Sequence, residues 1–241
     1  VRVLSAYLDQ AARSFGPGLW EGLAALPLML AVRAAVRAHV SLHAGDVALA
    51  KAYVDAAIAH LSPPPPVLAA AGGFSGAGKS SFARAVAPRL GASPGAVVLR
   101  TDEARKRLAD AGPTDRLAPE IYAADFYARV YDTMFAEARA LLKAGRAVVL
   151  DATFIDPALR ARAEALATEC GVAFHGAWLE APLAVLEARV AGRVGDASDA
   201  TVAVLHDQVA RYGDQAAAWS RVDAAAPVQS AAEGWLSKAA R

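Results

Sequence analysis

The sequence Gly73-Phe-Ser-Gly-Ala-Gly-Lys79-Ser80 has glycines, a lysine and a serine at a spacing that suits the binding of phosphate groups. Glycines at positions 73, 76 and 78 free the backbone to curl its amide groups towards a chain of phosphates. An apolar run before the stretch predicts a strand, and the residues after it predict a helix whose N-terminal amides also favour an anion. The stretch matches the P-loop pattern at every defined position and predicts a nucleoside triphosphate site.

The loop gives its residues distinct candidate roles. Lys79 would reach the β- and γ-phosphates as a catalytic cation, and the Ser80 hydroxyl would bind Mg²⁺. The alternative is a glycine-rich turn capped by a serine, but such a turn needs neither the lysine nor glycines at this spacing. The residues predicted to bind the nucleotide are Gly73, Ser75, Gly76, Ala77, Gly78, Lys79, Ser80 and Ser81.

Composition excludes several classes of protein. Apolar residues make up 56% of the 241 residues and charged residues 20%, so the chain can form a packed core. The formal net charge is +1 and no concentrated basic run occurs, which disfavours a nucleic acid as partner. Cys170 is the only cysteine, so an internal disulfide is excluded and a reducing, cytoplasmic compartment is expected.

The N-terminal region is apolar but short of a membrane span. Residues 22–32 form the longest uncharged apolar run and include Pro27, whereas a transmembrane helix needs about 20 apolar residues. We therefore expect a core segment here and no membrane partner. The chain begins at Val1 with no pattern typical of a signal peptide, and it enters directly into helix-like sequence, which suggests a fragment of a longer polypeptide.

Prolines 63–66 divide the sequence, because four prolines in succession end a helix and favour an extended linker. We predict a helical segment over residues 1–62, the proline linker, and a second domain over residues 67–241. Helices are expected at 3–15, 20–40 and 46–61. Apolar side chains recur at helical spacing in the last of these and predict one buried stripe, formed by Val47, Ala50, Val54, Ala57, Ile58 and Leu61.

The second domain alternates strands with helices. The strands are predicted near residues 67–71, 96–100, 147–150, 172–179 and 221–224. Helices are predicted near 79–90, 101–110, 120–143, 157–169, 183–194, 200–212 and from 229 onward, with Gly145 ending the third of them. This alternation is typical of a parallel sheet covered on both faces. The predicted fold class is therefore α/β, a P-loop NTPase three-layer sandwich preceded by an N-terminal helical segment.

Two aspartates follow predicted strands at the edge where α/β sheets bind ligands. Asp102 could accept the proton of an attacking hydroxyl or orient that hydroxyl, with Arg105 on the same side contacting the acceptor or the phosphate. A helix N-cap at Asp102 with an exposed Arg105 partner is an equally good interpretation. Asp151 lies where a Walker-B carboxylate would contact Mg²⁺ directly or through water.

Arg189 and Arg193 are four residues apart on a predicted helix, so they share a face. They precede a small, polar stretch at 195–199 that suits a mobile segment. Arginines on such a lid can stabilise a phosphoryl group in transfer. The alternative is a solvated helix face in which Asp196 and Asp199 pair with the arginines.

Four stretches, at 73–81, 99–106, 149–154 and 189–200, together resemble the P-loop small-molecule kinases. They are most similar to the predicted ATP-binding, kinase-like half of bacterial bifunctional aminoglycoside phosphotransferase/ATP-binding proteins. Polynucleotide-kinase-like and zeta-toxin-like kinases are wider relatives. The resemblance spans residues 66–227 and implies ATP, Mg²⁺ and phosphoryl transfer, with Asp102 near the acceptor and Arg189 and Arg193 on the lid.

The same resemblance extends to the beginning of the chain. Residues 28–38 look like the helical end of the phosphotransferase-like half of such fusions, so the segment 1–62 is expected to be a structural remnant of that domain. The implied partners are a small-molecule acceptor and a fused or associated phosphotransferase-like domain. The aminoglycoside label belongs to that other half and does not transfer to this one.

The leading functional hypothesis is a cytoplasmic kinase that transfers the γ-phosphate of ATP to a hydroxyl of a small molecule of unspecified identity. A second hypothesis is a non-catalytic or regulatory ATP-binding or ATPase module of a fusion protein. The third is a nucleic-acid 5′-hydroxyl kinase, which would need a basic channel leading to Asp102.

Overall fold

The structure is a computed structural model that describes residues 2–16, 18–112, 115–118, 121, 123–192, 198, 200–213 and 218–239. The strands are β1 (Val67–Gly72), β2 (Val97–Arg100), β3 (Val148–Asp151), β4 (Ala173–Glu180) and β5 (Ser220–Asp223). The helices are α1 (Arg2–Phe15), α2 (Gly18–Glu21), α3 (Leu26–His43), α4 (Val47–Leu61), α5 (Lys79–Val86), α6 (Thr101–Leu108), α7 (Ala124–Lys143), α8 (Pro157–Cys170), α9 (Leu183–Ala191), α10 (Val202–Tyr212) and α11 (Val228–Ala239).

The five strands form one parallel sheet in the order β2-β3-β1-β4-β5. Strands β1 and β3 consist mainly of small or branched apolar residues, as expected for strands buried on both faces. Asp151 at the end of β3 lies opposite Ala71 of β1 and Arg100 of β2. The segments that leave these three strands therefore meet at the carboxyl edge, where open α/β sheets bind ligands.

Helices cover both faces of the sheet, which confirms the predicted three-layer sandwich. On one face, Met134 and Leu141 of α7 pack with Leu166 of α8 against Leu150. On the other face, Phe82 of α5 packs with Trp235 of α11, and their rings meet edge to face at 5.6 Å. Each apolar layer is fully buried, so the sheet supplies a rigid platform for its carboxyl edge.

Most helices and strands begin and end near the residues predicted from the sequence. Helix α5 ends at Val86 rather than near residue 90, because Pro88 lies in a 3₁₀ turn over Ala87–Arg89. Helix α7 begins at Ala124 rather than at residue 120. Gly145 follows α7 with φ of 75°, as predicted for a residue that ends a helix. The predicted end of α9 near residue 194 lies outside the described residues.

The first helices of the chain pack on the sheet. Leu8 of α1 and Trp20 of α2 are buried in the same apolar layer as β2 and α7. The backbone amide of Val98, on the edge strand β2, donates a hydrogen bond to the Ser5 hydroxyl of α1. Without α1 this amide of the edge strand would have no partner in the sheet. Helices α1 and α2 therefore pack directly on the sandwich. The division into segments 1–62 and 67–241 stays a prediction.

Helices α3 and α4 pack on each other through small side chains. Ala34, Ala38 and Ser41 of α3 and Ala50 of α4 are buried. The predicted core segment at 22–32 is wrong, because Ala31 is the only residue of that fully described range that is buried. The predicted buried stripe on α4 is also wrong, because Ala50 is its only buried residue, Ala57 is half-buried and the other four residues are exposed. The larger side chains that stay exposed are Leu28, Met29, Val32, Val36, Val40, Leu42, Val47, Leu49, Val54, Ile58 and Leu61.

The same region is long and apolar enough to cross a membrane, judged by length and composition. Within the part of the chain that the structure describes, Gly18–His43 is the one such stretch, with a window of mean hydropathy 1.5 that is 17% buried. The expectation of no membrane partner stays a prediction.

Candidate functional site

The phosphate-loop sequence folds into a tight turn that only glycine accommodates at its key positions. Gly73, Gly76 and Gly78 have φ of 139°, 86° and 80°, a region that side chains of L-residues rarely adopt. A Cβ atom on Gly73 would lie 2.6 Å from the carbonyl oxygen of Leu179, and one on Gly76 would lie 2.6 Å from that of Leu186. The loop is thus pressed between the end of β4 and helix α9.

Two contacts hold the loop at the start of α5. The Gly73 amide donates to the carbonyl of Thr153 at 2.9 Å, which ties the loop to the segment after β3. The Lys79 ammonium donates to the carbonyl of Phe74 at 2.9 Å and so lies across the loop. Because α5 begins at Lys79, the loop backbone leads directly into a helix N-terminus, the arrangement that binds phosphate.

Helix α10 also contacts the loop, through a residue that sequence reasoning missed. The Ser75 amide donates to the Gln208 side-chain oxygen at 3.0 Å, and Ser75 is buried. Gln208 belongs to no motif, so its place beside the loop follows from the packing of α10.

Arg100, the last residue of β2, joins the two predicted metal ligands. Its Nε donates to Asp151 Oδ2 at 3.0 Å and its Nη2 donates to Ser80 Oγ at 3.1 Å. The third nitrogen, Nη1, donates to Glu103 Oε1 at 3.1 Å. The Arg100 side chain is only 6% exposed. Sequence reasoning missed Arg100, although a charged residue at the end of an apolar strand was the same signal that identified Asp151.

The carboxylates of Asp151 and Glu103 stabilise the positive charge of Arg100. Burial opposes the positive charge of Arg100, but Asp151 and Glu103 raise its pKa above the ordinary value of an arginine. Burial raises the pKa of Glu103, and the Arg100 guanidinium partly offsets that effect. A guanidinium is charged at every physiological pH, so Arg100 is a permanent cation between Ser80 and Asp151.

The oxygens of Ser80 and Asp151 suit Mg²⁺. A hydroxyl and a carboxylate are the oxygen ligands that this ion prefers. Among the described residues no group of three or more His, Cys, Asp and Glu side chains could hold a metal. Mg²⁺ usually binds through one or two carboxylates together with substrate phosphates rather than in an all-protein cage. The two residues therefore fit an Mg²⁺ ion that is held jointly with a nucleotide.

Asp102 and Arg105 lie on the first turns of α6, next to Arg100. Arg105 Nη1 donates to Asp102 Oδ1 at 2.7 Å, and the Asp102 side chain is 26% exposed. The N-cap position of α6 is Arg100, so Asp102 lies inside the helix and does not cap it. A partly exposed carboxylate paired with an arginine at this edge can meet a ligand.

The structure describes one of the two predicted lid arginines. An atom at the Cβ position of Gly78 would lie 4.0 Å from Arg189 Nη1, so the guanidinium of Arg189 lies beside the loop. Arg189 is exposed on α9, whose residue Leu186 is buried next to the loop. Arg193 lies outside the described residues, as do Asp196 and Asp199.

The segment after Asp151 has a fixed and unusual backbone. Phe154 is fully buried with φ of 48°, which is rare for a bulky residue. Arg160 Nη1 donates to the Phe154 carbonyl at 2.8 Å, and the Phe154 ring packs edge to face with Tyr131 at 5.9 Å. Burial raises the pKa of Tyr131, so this phenol stays neutral near Thr153. The strained turn holds the Thr153 carbonyl under the phosphate loop.

Comparison with protein families gives one match over most of this region. A family described as AAA domain matches residues 68–214, a range that includes every predicted site residue. The uncharacterized proteins Rv2004c of Mycobacterium tuberculosis (strain H37Rv) and Mb2027c of Mycobacterium bovis are each 35% identical over 212 residues. The alignments cover 82% of this chain and 41% of each relative. The chain thus spans about two fifths of the length of these curated relatives.

Two solved structures of similar fold are described as a kinase or a putative kinase. The APS kinase CysC of Mycobacterium tuberculosis, in complex with AMPPNP and APS, has a TM-score of 0.52 at 22% identity, over 72% of this chain and 97% of that one. A putative kinase from Chloroflexus aurantiacus has a TM-score of 0.53 at 16% identity, over 73% and 98% of the two chains. At this level of identity the likeness shows a shared fold and nothing about activity.

Proposed function

Because the chain belongs to the AAA domain family and has the P-loop kinase fold, we propose that it is a cytoplasmic kinase that transfers the γ-phosphate of ATP to a hydroxyl of a small molecule. The fold and family support nucleotide-dependent phosphoryl transfer in general. One observation supports the finer proposal most strongly: the phosphate loop, the Asp102–Arg105 pair and Asp151 follow three neighbouring strands at one sheet edge.

The loop binds the triphosphate in this proposal. The amides of Gly76 and Gly78 and the N-terminus of α5 surround the phosphates, since the amides of Gly73, Ser75 and Ala77 already donate to oxygens of the protein. Lys79 leaves the Phe74 carbonyl and pairs with the β- and γ-phosphates. An exchange of a neutral carbonyl for an anion favours the bound state, since charge-assisted hydrogen bonds are the stronger ones.

The acceptor binds beside α6. Asp102 accepts the proton of the acceptor hydroxyl as its oxygen attacks the γ-phosphorus, the bond from that phosphorus to the β,γ-bridging oxygen breaks, and ADP leaves. Arg105 holds the carboxylate of Asp102 in place from one side. Arg189, next to Gly78, stabilises the charge on the phosphoryl group in transfer. When bound at Ser80 and Asp151, Mg²⁺ neutralises phosphate charge. Arg193 is assigned the same role as Arg189 from its spacing.

A substrate search tests the proposal directly. The protein is incubated with Mg·ATP and a metabolite extract, and mass spectrometry is used to find a compound that gains one phosphoryl group. Lys79→Met serves as the matched control, because it keeps the length of the side chain but removes the charge. The expected result is one phosphorylated small molecule in the wild-type sample and none in the control.

Two outcomes would contradict a small-molecule kinase. Release of inorganic phosphate without any phosphorylated product would favour a regulatory ATPase module. Phosphorylation of oligonucleotide 5′ ends at low salt, where phosphate contacts are strongest, would favour a nucleic-acid kinase.

A further inference from the structure

The hydrogen bonds of Arg100 have no role in the proposed mechanism. One buried guanidinium contacts Ser80 Oγ on α5, Asp151 Oδ2 on β3 and Glu103 Oε1 on α6. The first two of these oxygens are the ones that a nucleotide-bound Mg²⁺ needs. The third belongs to Glu103, a carboxylate that is not one of the predicted metal ligands.

A guanidinium and a divalent cation compete for the same oxygens. Both are attracted by the carboxylate of Asp151, and at a distance of a few ångströms their positive charges repel each other strongly in a buried site. Arg100 therefore has to give up Ser80 and Asp151 when a metal takes them. Glu103 offers a second anion that already contacts Nη1 at 3.1 Å.

We propose that Arg100 is an internal cation of the nucleotide site, which holds Ser80 and Asp151 in the absence of Mg²⁺ and yields both oxygens to the metal by turning towards Glu103. The inference rests on the proposed nucleotide site. Ser80 and Asp151 are the residues that would hold phosphate-bound Mg²⁺, so their partner Arg100 lies next to the phosphates in this proposal, and arginine pairs with phosphate through two parallel hydrogen bonds. Arg100 thus makes nucleotide binding largely independent of Mg²⁺.

The test compares ADP binding in EDTA and in Mg²⁺ by calorimetry. For the wild-type protein the two Kd values are expected to differ by less than about tenfold, because a cation is present in both states. In Arg100→Met the Kd in EDTA rises by at least about tenfold, whereas the Kd in Mg²⁺ changes by less than about threefold. A selective loss of metal-free binding is a readout that a merely structural arginine would not give.

Two further variants keep the test decisive. Arg139→Met removes a surface arginine that pairs with the exposed Glu169, so both Kd values should stay unchanged. Arg100→Lys keeps the charge but has a single donor group, and it should retain part of the metal-free affinity. If circular dichroism shows that Arg100→Met does not fold, the wild-type comparison and the lysine variant decide.

Several results would overturn the inference. These are an equal loss of affinity in both conditions, no loss in either, a larger loss in Mg²⁺, or wild-type binding that depends on Mg²⁺ by more than about tenfold. In each of these cases the protein still binds ADP, so the proposed function would not be contradicted. Absence of ADP binding by the wild-type protein in both conditions would overturn the nucleotide site and this inference together.

Discussion

The position of Arg189 beside the phosphate loop predicts a large effect on the rate of phosphoryl transfer. Its guanidinium lies near Gly78, so it can act on a phosphoryl group that leaves the nucleotide. Arg189→Met should lower the rate of γ-phosphate transfer by about 10³-fold, since arginines in this role stabilise charge that develops during the reaction. The Kd for ATP should change little. Quenched-flow measurement of labelled phosphate transfer checks the rate.

The control for Arg189 is Arg211→Met on α10, which removes an exposed arginine paired with Asp207. That variant should transfer phosphate at the wild-type rate. Equal rates for Arg189→Met and the wild type would place Arg189 outside the mechanism.

Residue types and spacing predicted the phosphate loop, but they could not give side-chain partners. Gly76 was predicted from the glycines of the loop, and its φ of 86° in the structure is a local constraint that glycine satisfies. The contacts of Arg100 depend on the register between β2 and β3, which brings Arg100 opposite Asp151. The contact of Gln208 depends on how α10 packs on the loop. Both contacts join residues that are distant in the sequence, so no local sequence pattern predicts them.

At the scale of elements, the α3–α4 pair is held by small residues on its inner face. Ala38 is buried between the two helices, whereas Val40 is 51% exposed. Ala38→Leu should lower the free energy of unfolding by about 1–3 kcal/mol, because the larger side chain forces the helices apart. Val40→Gln should change it by less than about 0.5 kcal/mol. Urea denaturation of the full chain followed by circular dichroism measures both values.

The comparison between these two variants can fail in a definite way. If Val40→Gln destabilised the chain as much as Ala38→Leu, the exposed face of α3 would be packed in solution and the pairing of α3 with α4 through small residues would be wrong.

Helical periodicity predicted α4 but not which side of it is covered. Apolar residues at helical spacing indicate a helix with one apolar face, and burial of that face requires a neighbour that spacing does not identify. Val54 and Ile58 are exposed although Ala50, on the same predicted stripe, is buried. In α1, by contrast, Leu8 is buried because β2 forms an edge of the sheet that the helix covers.

For the whole molecule, the alternation of strands and helices predicted a parallel sheet with helices on both faces. It did not predict the order β2-β3-β1-β4-β5, because strand order depends on which crossovers skip a neighbour. That order matters for function, since it brings the segments after β1, β2 and β3 together. The site is therefore a property of the topology, although each of its motifs is local.

In the proposed reaction, this sheet edge transfers the γ-phosphate of ATP to a hydroxyl with Asp102 as the base. The most direct measurement follows the label of γ-³²P-ATP in the presence of a metabolite extract, for the wild type and for Asp102→Asn, which keeps an oxygen for Arg105. We expect label in an organic acceptor with the wild type, and a loss of about 10²–10⁴-fold in transfer with Asp102→Asn while ATP still binds. Transfer at the same rate by both proteins, or label in inorganic phosphate without any labelled acceptor, would contradict the claim.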